Sequence, residues 1–209
     1  MEYSVPYTCV SNDEILEIDN KAINHRPDMF SYMWVLRELA VINNKSLDVD
    51  YANYDFSNTP KLNFTNQIPE FVRRYSLSKI TGVGNIASNK EIQTIIEAAG
   101  HSVKGLLVDV SNYSLYFYGQ PVHIFDAKKV SWDIQVRFAK VWEKILALDD
   151  REYELGENDI VIADNSKILA IAWIIWGKES AVTDTTTRII LESANFPQDI
   201  LRKSGRNLW

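Results

Sequence analysis

The chain has 209 residues, of which 28 are acidic and 22 are basic, so its net charge at neutral pH is −6. This acidic balance argues against a surface that binds a phosphate backbone by itself. It is compatible with a small RNA contact, such as the binding of a strand end. The single cysteine, Cys9, excludes an internal disulfide and a thiolate zinc site. Without an apolar run of ~20 residues or a signal peptide, we expect a cytoplasmic protein without membrane contact.

Residues 1–45 are predicted to form an N-terminal strand-helix element. Acidic and apolar residues alternate over 14–17, which is typical of a short strand. Ser31 is a plausible N-cap for a helix that runs to about Ile42, because apolar residues follow it at helical spacing. Residues 46–69 are rich in Asn, Asp, Ser, Thr and Pro without a sustained period, which predicts a linker or a long surface loop.

The rest of the chain is predicted to change from mixed helix and strand to mostly strand. Ser88 is the expected N-cap of an amphipathic helix that ends at Gly100, and Pro197 is expected to open a final helix. The other predicted elements are a strand over 74–83, a buried strand over 103–110, an aromatic helix or turn over 113–118, and strands over 134–138, 144–148, 160–163, 167–173 and 187–192. This pattern predicts a single α+β domain over 1–209, with a mixed, sandwich-like β core flanked by helices.

Several kinds of chemistry find no support in the sequence. The three histidines, His25, His101 and His123, do not pair with each other or with cysteine at metal-ligand spacing, so no metal site is expected. No serine lies in a nucleophile elbow and no glycine-rich phosphate loop is present. These observations disfavour a covalent hydrolase and a nucleotide-dependent enzyme.

Three polar residues stand out as candidates, each with a structural alternative. His123 follows a turn at Gly119-Gln120-Pro121, and it is either a core histidine bonded to the backbone or part of a site. Glu192 ends an apolar strand, where it either faces solvent by alternation or lies in a pocket that recognises a hydrogen-bond donor. Asn112 is either a turn or cap residue or a ligand contact.

Motifs in a fixed order connect these residues to a known family. Val108-Asp109-Val110-Ser111-Asn112-Tyr113 precedes Gly119-Gln120-Pro121-Val122-His123-Ile124-Phe125-Asp126. Arg26-Pro27-Asp28 and Arg74-Tyr75-Ser76 lie upstream, and Leu191-Glu192-Ser193-Ala194 lies downstream. The chain resembles the B3/B4 domain of the bacterial phenylalanyl-tRNA synthetase β subunit over almost its whole length.

The resemblance implies a domain that hydrolyses tyrosyl-tRNA(Phe). Such proofreading has a physical motive, because an apolar synthetic pocket rejects an added hydroxyl only by roughly a hundredfold. By resemblance, Glu192 reads the tyrosine hydroxyl, through a charge-assisted bond worth roughly 1.5–3 kcal/mol. His123 and Asn112 hold the terminal adenosine and the amino acid ester while water attacks the ester carbonyl. No residue is assigned as a general base.

The chain departs from the family at this pocket. Relatives have A-G-x-x-G-G where residues 172–177 read Ala-Trp-Ile-Ile-Trp-Gly, so Trp173 replaces a glycine of the pocket wall. In a regular strand Trp173 and Trp176 point to opposite faces, so only one of them is expected to fill the cavity. Ser102 stands where bacterial relatives have arginine. We therefore expect weakened or lost editing, whereas the alternative is that Trp173 packs in a rearranged core.

Three functions remain open at this point. The chain is a proofreading hydrolase, or a non-catalytic module that packs in the synthetase or positions tRNA, or a free-standing domain of the same fold. Relatives continue past Leu208 into a T-E-A-S segment, which favours a piece of a longer protein. The resemblance implies the acceptor end of tRNA(Phe), the other β-subunit domains and the α subunit as partners. It implies no cofactor in this segment, while ATP and Mg²⁺ serve the parent synthetase.

Overall fold

Helices and strands occupy largely separate stretches of the chain, which makes the fold α+β. The computed structural model describes residues 7–10, 13–16, 26, 29–47, 62–131 and 133–208. The chain divides into two compact units. The first comprises Met1–Ala52 and Ala87–Gln120, and the second comprises Asn53–Ile86 and Pro121–Trp209.

The first unit is mainly helical. Its described elements are β1 (Tyr7–Val10), β2 (Asp13–Leu16), α1 (Tyr32–Ile42), α2 (Lys90–Ala98), α3 (Leu106–Tyr113) and a π-helical turn (Ser114–Tyr118). Strands β1 and β2 form an antiparallel hairpin. The predicted helix that starts after Ser31 and the predicted aromatic helical turn are both confirmed. None of the helices that the described residues form is long and apolar enough to cross a membrane.

The predicted strand over 103–110 is wrong, because helix α3 begins at Leu106. An apolar run of this length fits a buried strand and a buried helix equally well, so periodicity alone does not decide. The buried carboxylate of Asp109 accepts hydrogen bonds from the backbone N–H groups of Lys104 at 2.9 Å and Gly105 at 3.1 Å. These bonds satisfy donors at the start of the helix and so stabilise it.

The predicted N-cap of α2 is also wrong by one residue. The side-chain oxygen of Asn89 accepts a hydrogen bond from the backbone N–H of Ile92 at 2.9 Å, which makes Asn89 the cap. Ser88 instead donates its hydroxyl to the buried carboxylate of Asp109. Ser88 therefore ties the start of α2 to α3 within the first unit.

The second unit contains most of the strands. Its elements are β3 (Phe64–Asn66), β4 (Arg74–Thr81), β5 (Val122–Asp126), β6 (Ile134–Phe138), β7 (Lys144–Leu146), β8 (Glu152–Glu154), β9 (Ile160–Ala163), β10 (Ile168–Ile171), β11 (Ile175–Trp176), a 3₁₀ turn (Lys178–Ser180), β12 (Arg188–Asn195) and α4 (Gln198–Leu208). The final helix predicted after Pro197 is confirmed. The predicted strands over 134–138 and 160–163 are confirmed residue for residue.

Two sheets share the core of the second unit. One is antiparallel with the order β4-β12-β5, and the other is mixed with the order β11-β10-β9-β6-β3, in which β3 and β6 run parallel. Tyr75, Phe125 and Ile190 from the first sheet and Val136 and Ile162 from the second belong to one cluster of buried side chains. This packing of sheet against sheet confirms the predicted mixed, sandwich-like core.

The predicted linker over 46–69 lies partly outside the described residues, which omit 48–61. At its C-terminal end the structure has a strand, β3, which the sequence pattern did not predict. Its three residues become a strand by pairing in parallel with β6, a partner far along the chain. His25, Pro27 and Asp28 of the upstream motif also lie outside the described residues.

Candidate functional site

The strand register places His123 and Glu192 directly opposite each other. Glu192 of β12 pairs with His123 of β5 on one side and with Leu77 of β4 on the other. Residues that pair directly across an antiparallel ladder point to the same face of the sheet. That face also carries Phe125 and Ile190, which belong to the shared core, so His123 and Glu192 point towards the interior.

Both side chains are buried and uncharged near neutral pH. His123 is 6% exposed, and burial lowers its pKa to about 3. Glu192 is 5% exposed, and burial raises its pKa to about 8. The solvent-facing alternative for Glu192 is therefore wrong. Neither ring nitrogen of His123 has a hydrogen-bond partner among the described residues, so His123 is not a core histidine held by backbone bonds.

Tyr75 is a third polar residue on the same face, and sequence reasoning identified it only as part of a motif. It pairs with Ala194, which lies two residues beyond Glu192 along β12 and therefore on the same side. Its hydroxyl is buried without a hydrogen-bond partner in the described part of the chain. Burial raises the pKa of Tyr75 well above its usual value, and the nearby carboxylate of Glu192 adds to this effect.

An indole lies against the imidazole of His123. The ring centroids of His123 and Trp176 are 4.3 Å apart, with an angle of 46° between the ring planes. Phe125 contacts the imidazole edge-on at 4.0 Å. Trp176 is held there because β11 pairs with β10, where Trp176 lies opposite Ala170. The imidazole is thus covered by aromatic rings from its own unit.

Trp173 does not fill the cavity beside His123 and Glu192, contrary to the prediction from the sequence. Strand β10 ends at Ile171 rather than at residue 173, and the chain turns before β11 begins at Ile175. Trp173 lies in this turn with a φ of 55°, and it is 48% exposed. The assumption of one regular strand through 173 is wrong, because the hairpin reverses direction there. Trp176, rather than Trp173, is the tryptophan that packs on the imidazole.

Asn112 and Ser102 belong to the first unit, whereas His123 and Glu192 belong to the second. Asn112 lies inside α3, one residue before its end, and is partly buried. It is therefore neither a turn residue nor a cap. Ser102 is exposed in the segment between α2 and α3. Of the five predicted site residues, strand pairing brings His123 and Glu192 together.

Two buried polar residues, Asp126 and Thr186, have a structural role that sequence reasoning did not assign. The hydroxyl of Thr186 donates a hydrogen bond of 2.7 Å to the carboxylate of Asp126, and both residues are buried. The same hydroxyl accepts a bond from the backbone N–H of Thr183 at 2.9 Å. Asp126 ends β5 and Thr186 precedes β12, so this pair stabilises the two strands that carry His123 and Glu192.

The sequence of this chain is similar to those of curated proteins. It is 36% identical over 205 residues to the phenylalanine–tRNA ligase beta subunit of Leptospira interrogans, a match that covers 94% of this chain and 25% of the relative. It is 38% identical over 196 residues to the same subunit of Solibacter usitatus, covering 92% of this chain and 25% of the relative. The chain thus spans about a quarter of the length of these curated relatives.

A solved structure and a family model also match. The structure is an N-terminal fragment of the phenylalanyl-tRNA synthetase beta-subunit from Pyrococcus horikoshii, with a TM-score of 0.49 and 14% identity, covering 96% of this chain and 64% of that one. The family model, described as the B3/4 domain, matches residues 72–209, which is more than half of the chain. The chain therefore belongs to the B3/4 domain family.

Proposed function

We propose that this chain is the B3/4 module of a phenylalanine–tRNA ligase β subunit, and that His123 and Glu192 form a weakened editing site for tyrosyl-tRNA(Phe). The observation that carries the proposal is the pairing of these two buried side chains on one face of a sheet. The names of the relatives support the parent enzyme. The partners we propose are the acceptor end of tRNA(Phe), the other β-subunit domains and the α subunit, with ATP and Mg²⁺ used elsewhere in the enzyme.

Glu192 suits the recognition of a tyrosine hydroxyl. A buried carboxylic acid with a pKa near 8 is protonated at neutral pH, so it offers one donor and one or more acceptors. A ligand hydroxyl can satisfy these groups, whereas the bare ring of phenylalanine leaves them unpaired. Leaving a buried polar group unpaired costs about 1–3 kcal/mol, which is the free energy available for discrimination.

His123 suits an orienting role better than proton abstraction. A general base works best when its pKa lies near the operating pH, and burial lowers the pKa of His123 to about 3. A neutral imidazole still offers one donor and one acceptor nitrogen to the ester or the terminal adenosine. This supports a mechanism in which water attacks the ester carbonyl while the protein positions the reacting groups.

The indole of Trp176 supports the weakening of this site. It packs on the imidazole at 4.3 Å, at a position where the family pattern has glycine. A side chain there occupies space that glycine would leave open for a ligand. The same contact supports a second candidate function, a non-catalytic module that is retained because it packs against the rest of the synthetase.

A deacylation assay with tyrosyl-tRNA(Phe) tests the proposal. We expect slow hydrolysis by the unchanged chain and at least a tenfold faster rate after Trp176→Gly, because the substitution uncovers His123. Trp173→Gly is the matched control, since Trp173 lies in an exposed turn, and its rate should equal that of the unchanged chain. All three proteins are compared at a saturating concentration of tyrosyl-tRNA(Phe), so that differences in RNA affinity do not enter the comparison.

Two results would contradict the proposal. If Trp176→Gly does not accelerate hydrolysis although the protein is folded, the non-catalytic module is the better description. If the unchanged chain is already as fast as a relative with glycine at this position, the indole does not obstruct the site. In an active Trp176→Gly protein, a further Glu192→Leu substitution, which removes both the donor and the acceptor, should reduce the preference for tyrosyl-tRNA over phenylalanyl-tRNA.

A further inference from the structure

Three buried polar atoms cluster on one face of the β4-β12-β5 sheet without a protein partner. Within the described ranges they are the hydroxyl of Tyr75 and the two ring nitrogens of His123. Buried polar groups are nearly always hydrogen-bonded in folded proteins, so a group without a partner requires an explanation. Glu192 lies between the two residues, because it pairs with His123 and is two residues from Ala194, the partner of Tyr75. One ligand could therefore contact all three side chains.

The hydroxyl of Tyr75 is held in a defined place. Tyr75 is 9% exposed, and its ring packs on that of Phe64 with 5.5 Å between the centroids. The residue paired with it on β12 is Ala194, which lies two residues beyond Glu192. The carboxylate of Glu192 lies close enough to raise the pKa of Tyr75 beyond the effect of burial. The strand register makes Tyr75 and Glu192 diagonal neighbours on one face of the sheet.

We propose that the hydroxyl of Tyr75 is a specificity-determining group of the Glu192 site and binds the hydroxyl of a para-hydroxyphenyl ligand. This inference rests on the proposed function, since it assigns a second contact to the tyrosine side chain of the substrate. A phenol hydroxyl has one donor and can accept further bonds. It donates to the carboxyl of Glu192 and accepts from Tyr75. A phenyl ring without the hydroxyl can satisfy neither group.

Binding of two small probes tests the assignment. We expect the Trp176→Gly protein to bind p-cresol in an NMR titration. This molecule is the side-chain analogue of tyrosine, in which the Cβ atom is a methyl group. Tyr75→Phe in the same protein removes one oxygen atom and should weaken p-cresol binding about tenfold, which corresponds to 1.4 kcal/mol. Binding of toluene, which has no hydroxyl, should not change. Trp176→Ala serves as the starting protein if the glycine variant does not fold.

Tyr153→Phe is the matched control. Tyr153 is also buried in the second unit, but its hydroxyl donates a 2.6 Å hydrogen bond to Asp149. Tyr153→Phe should leave p-cresol binding unchanged and lower the Tm. Tyr75→Phe should instead raise the Tm of the ligand-free chain by about 2–4 °C, because it removes a buried hydroxyl that has no partner.

Several results would overturn the role of Tyr75. They are an absence of p-cresol binding to the opened protein, an equal effect of Tyr75→Phe on both probes, or a fall in Tm as large as that of the control. The hydrolysis assay separates this inference from the proposed function. Hydrolysis of tyrosyl-tRNA that does not depend on Tyr75 refutes only the inference. Binding of p-cresol that depends on Tyr75, without hydrolysis by any variant, refutes only the editing function.

Discussion

Glu192→Gln is expected to change how the free energy of unfolding depends on pH. Glutamine keeps the shape of the side chain but cannot ionise. Burial raises the pKa of Glu192 in the folded chain from 4.5 to about 8. Between these pH values the unfolded chain has released a proton that the folded chain retains. In that window Glu192 lowers the free energy of unfolding by about 1.4 kcal/mol for each pH unit of increase, or about 5 kcal/mol in all.

His123 acts in the opposite direction at lower pH. Burial lowers its pKa in the folded chain from 6.5 to about 3. Between these values the unfolded chain holds a proton that the folded chain lacks, so His123 raises the free energy of unfolding as pH increases. The contributions of His123 and Glu192 cancel from pH 4.5 to 6.5. From pH 6.5 to 8, Glu192 alone lowers the free energy of unfolding by about 2 kcal/mol.

Urea denaturation between pH 4.5 and 8 measures these contributions. The free energy of the unchanged chain is subtracted from that of Glu192→Gln at each pH, so groups common to both proteins cancel. This difference in the free energy of unfolding should increase by about 5 kcal/mol from pH 4.5 to pH 8, so the glutamine variant becomes more stable relative to the unchanged chain as the pH rises. His123→Gln is the control, since it should keep the decrease caused by Glu192. A difference that stays constant within about 0.5 kcal/mol would refute the burial of an ionisable carboxyl.

Two further substitutions, each with a control variant, test the packing near His123 and Glu192. Thr186→Val removes the hydroxyl that bonds to buried Asp126 and should lower the free energy of unfolding by about 1–3 kcal/mol in urea denaturation. Thr187→Val, at an exposed neighbour, should change it by less than about 0.5 kcal/mol, and equal effects would contradict the role of the bond. Gly177→Ala would place a methyl group 2.6 Å from a backbone oxygen and should lower Tm by several degrees. Gly205→Ala, with open space around it, should not lower Tm.

Short-range patterns predicted the strands that have strong local signals. Runs rich in apolar and β-branched residues between turn clusters became β6 and β9 with the predicted bounds. The apolar run over 103–110 carried no decisive period, and the bonds of buried Asp109 accompany its helical conformation. Strand β3 exists through its parallel pairing with β6, so a local pattern could not reveal it.

Motif order was sufficient to predict the family and to select His123 and Glu192 as candidate site residues. Their position directly opposite each other follows from the register of β5 and β12, which motif spacing does not contain. Strand alternation predicted that only one tryptophan of the 172–177 segment fills the cavity, but the hairpin turn decided that Trp176 is the one that packs on His123. The pKa values of the two site residues also depend on tertiary structure, because the surroundings that bury each side chain come from strands distant in the chain.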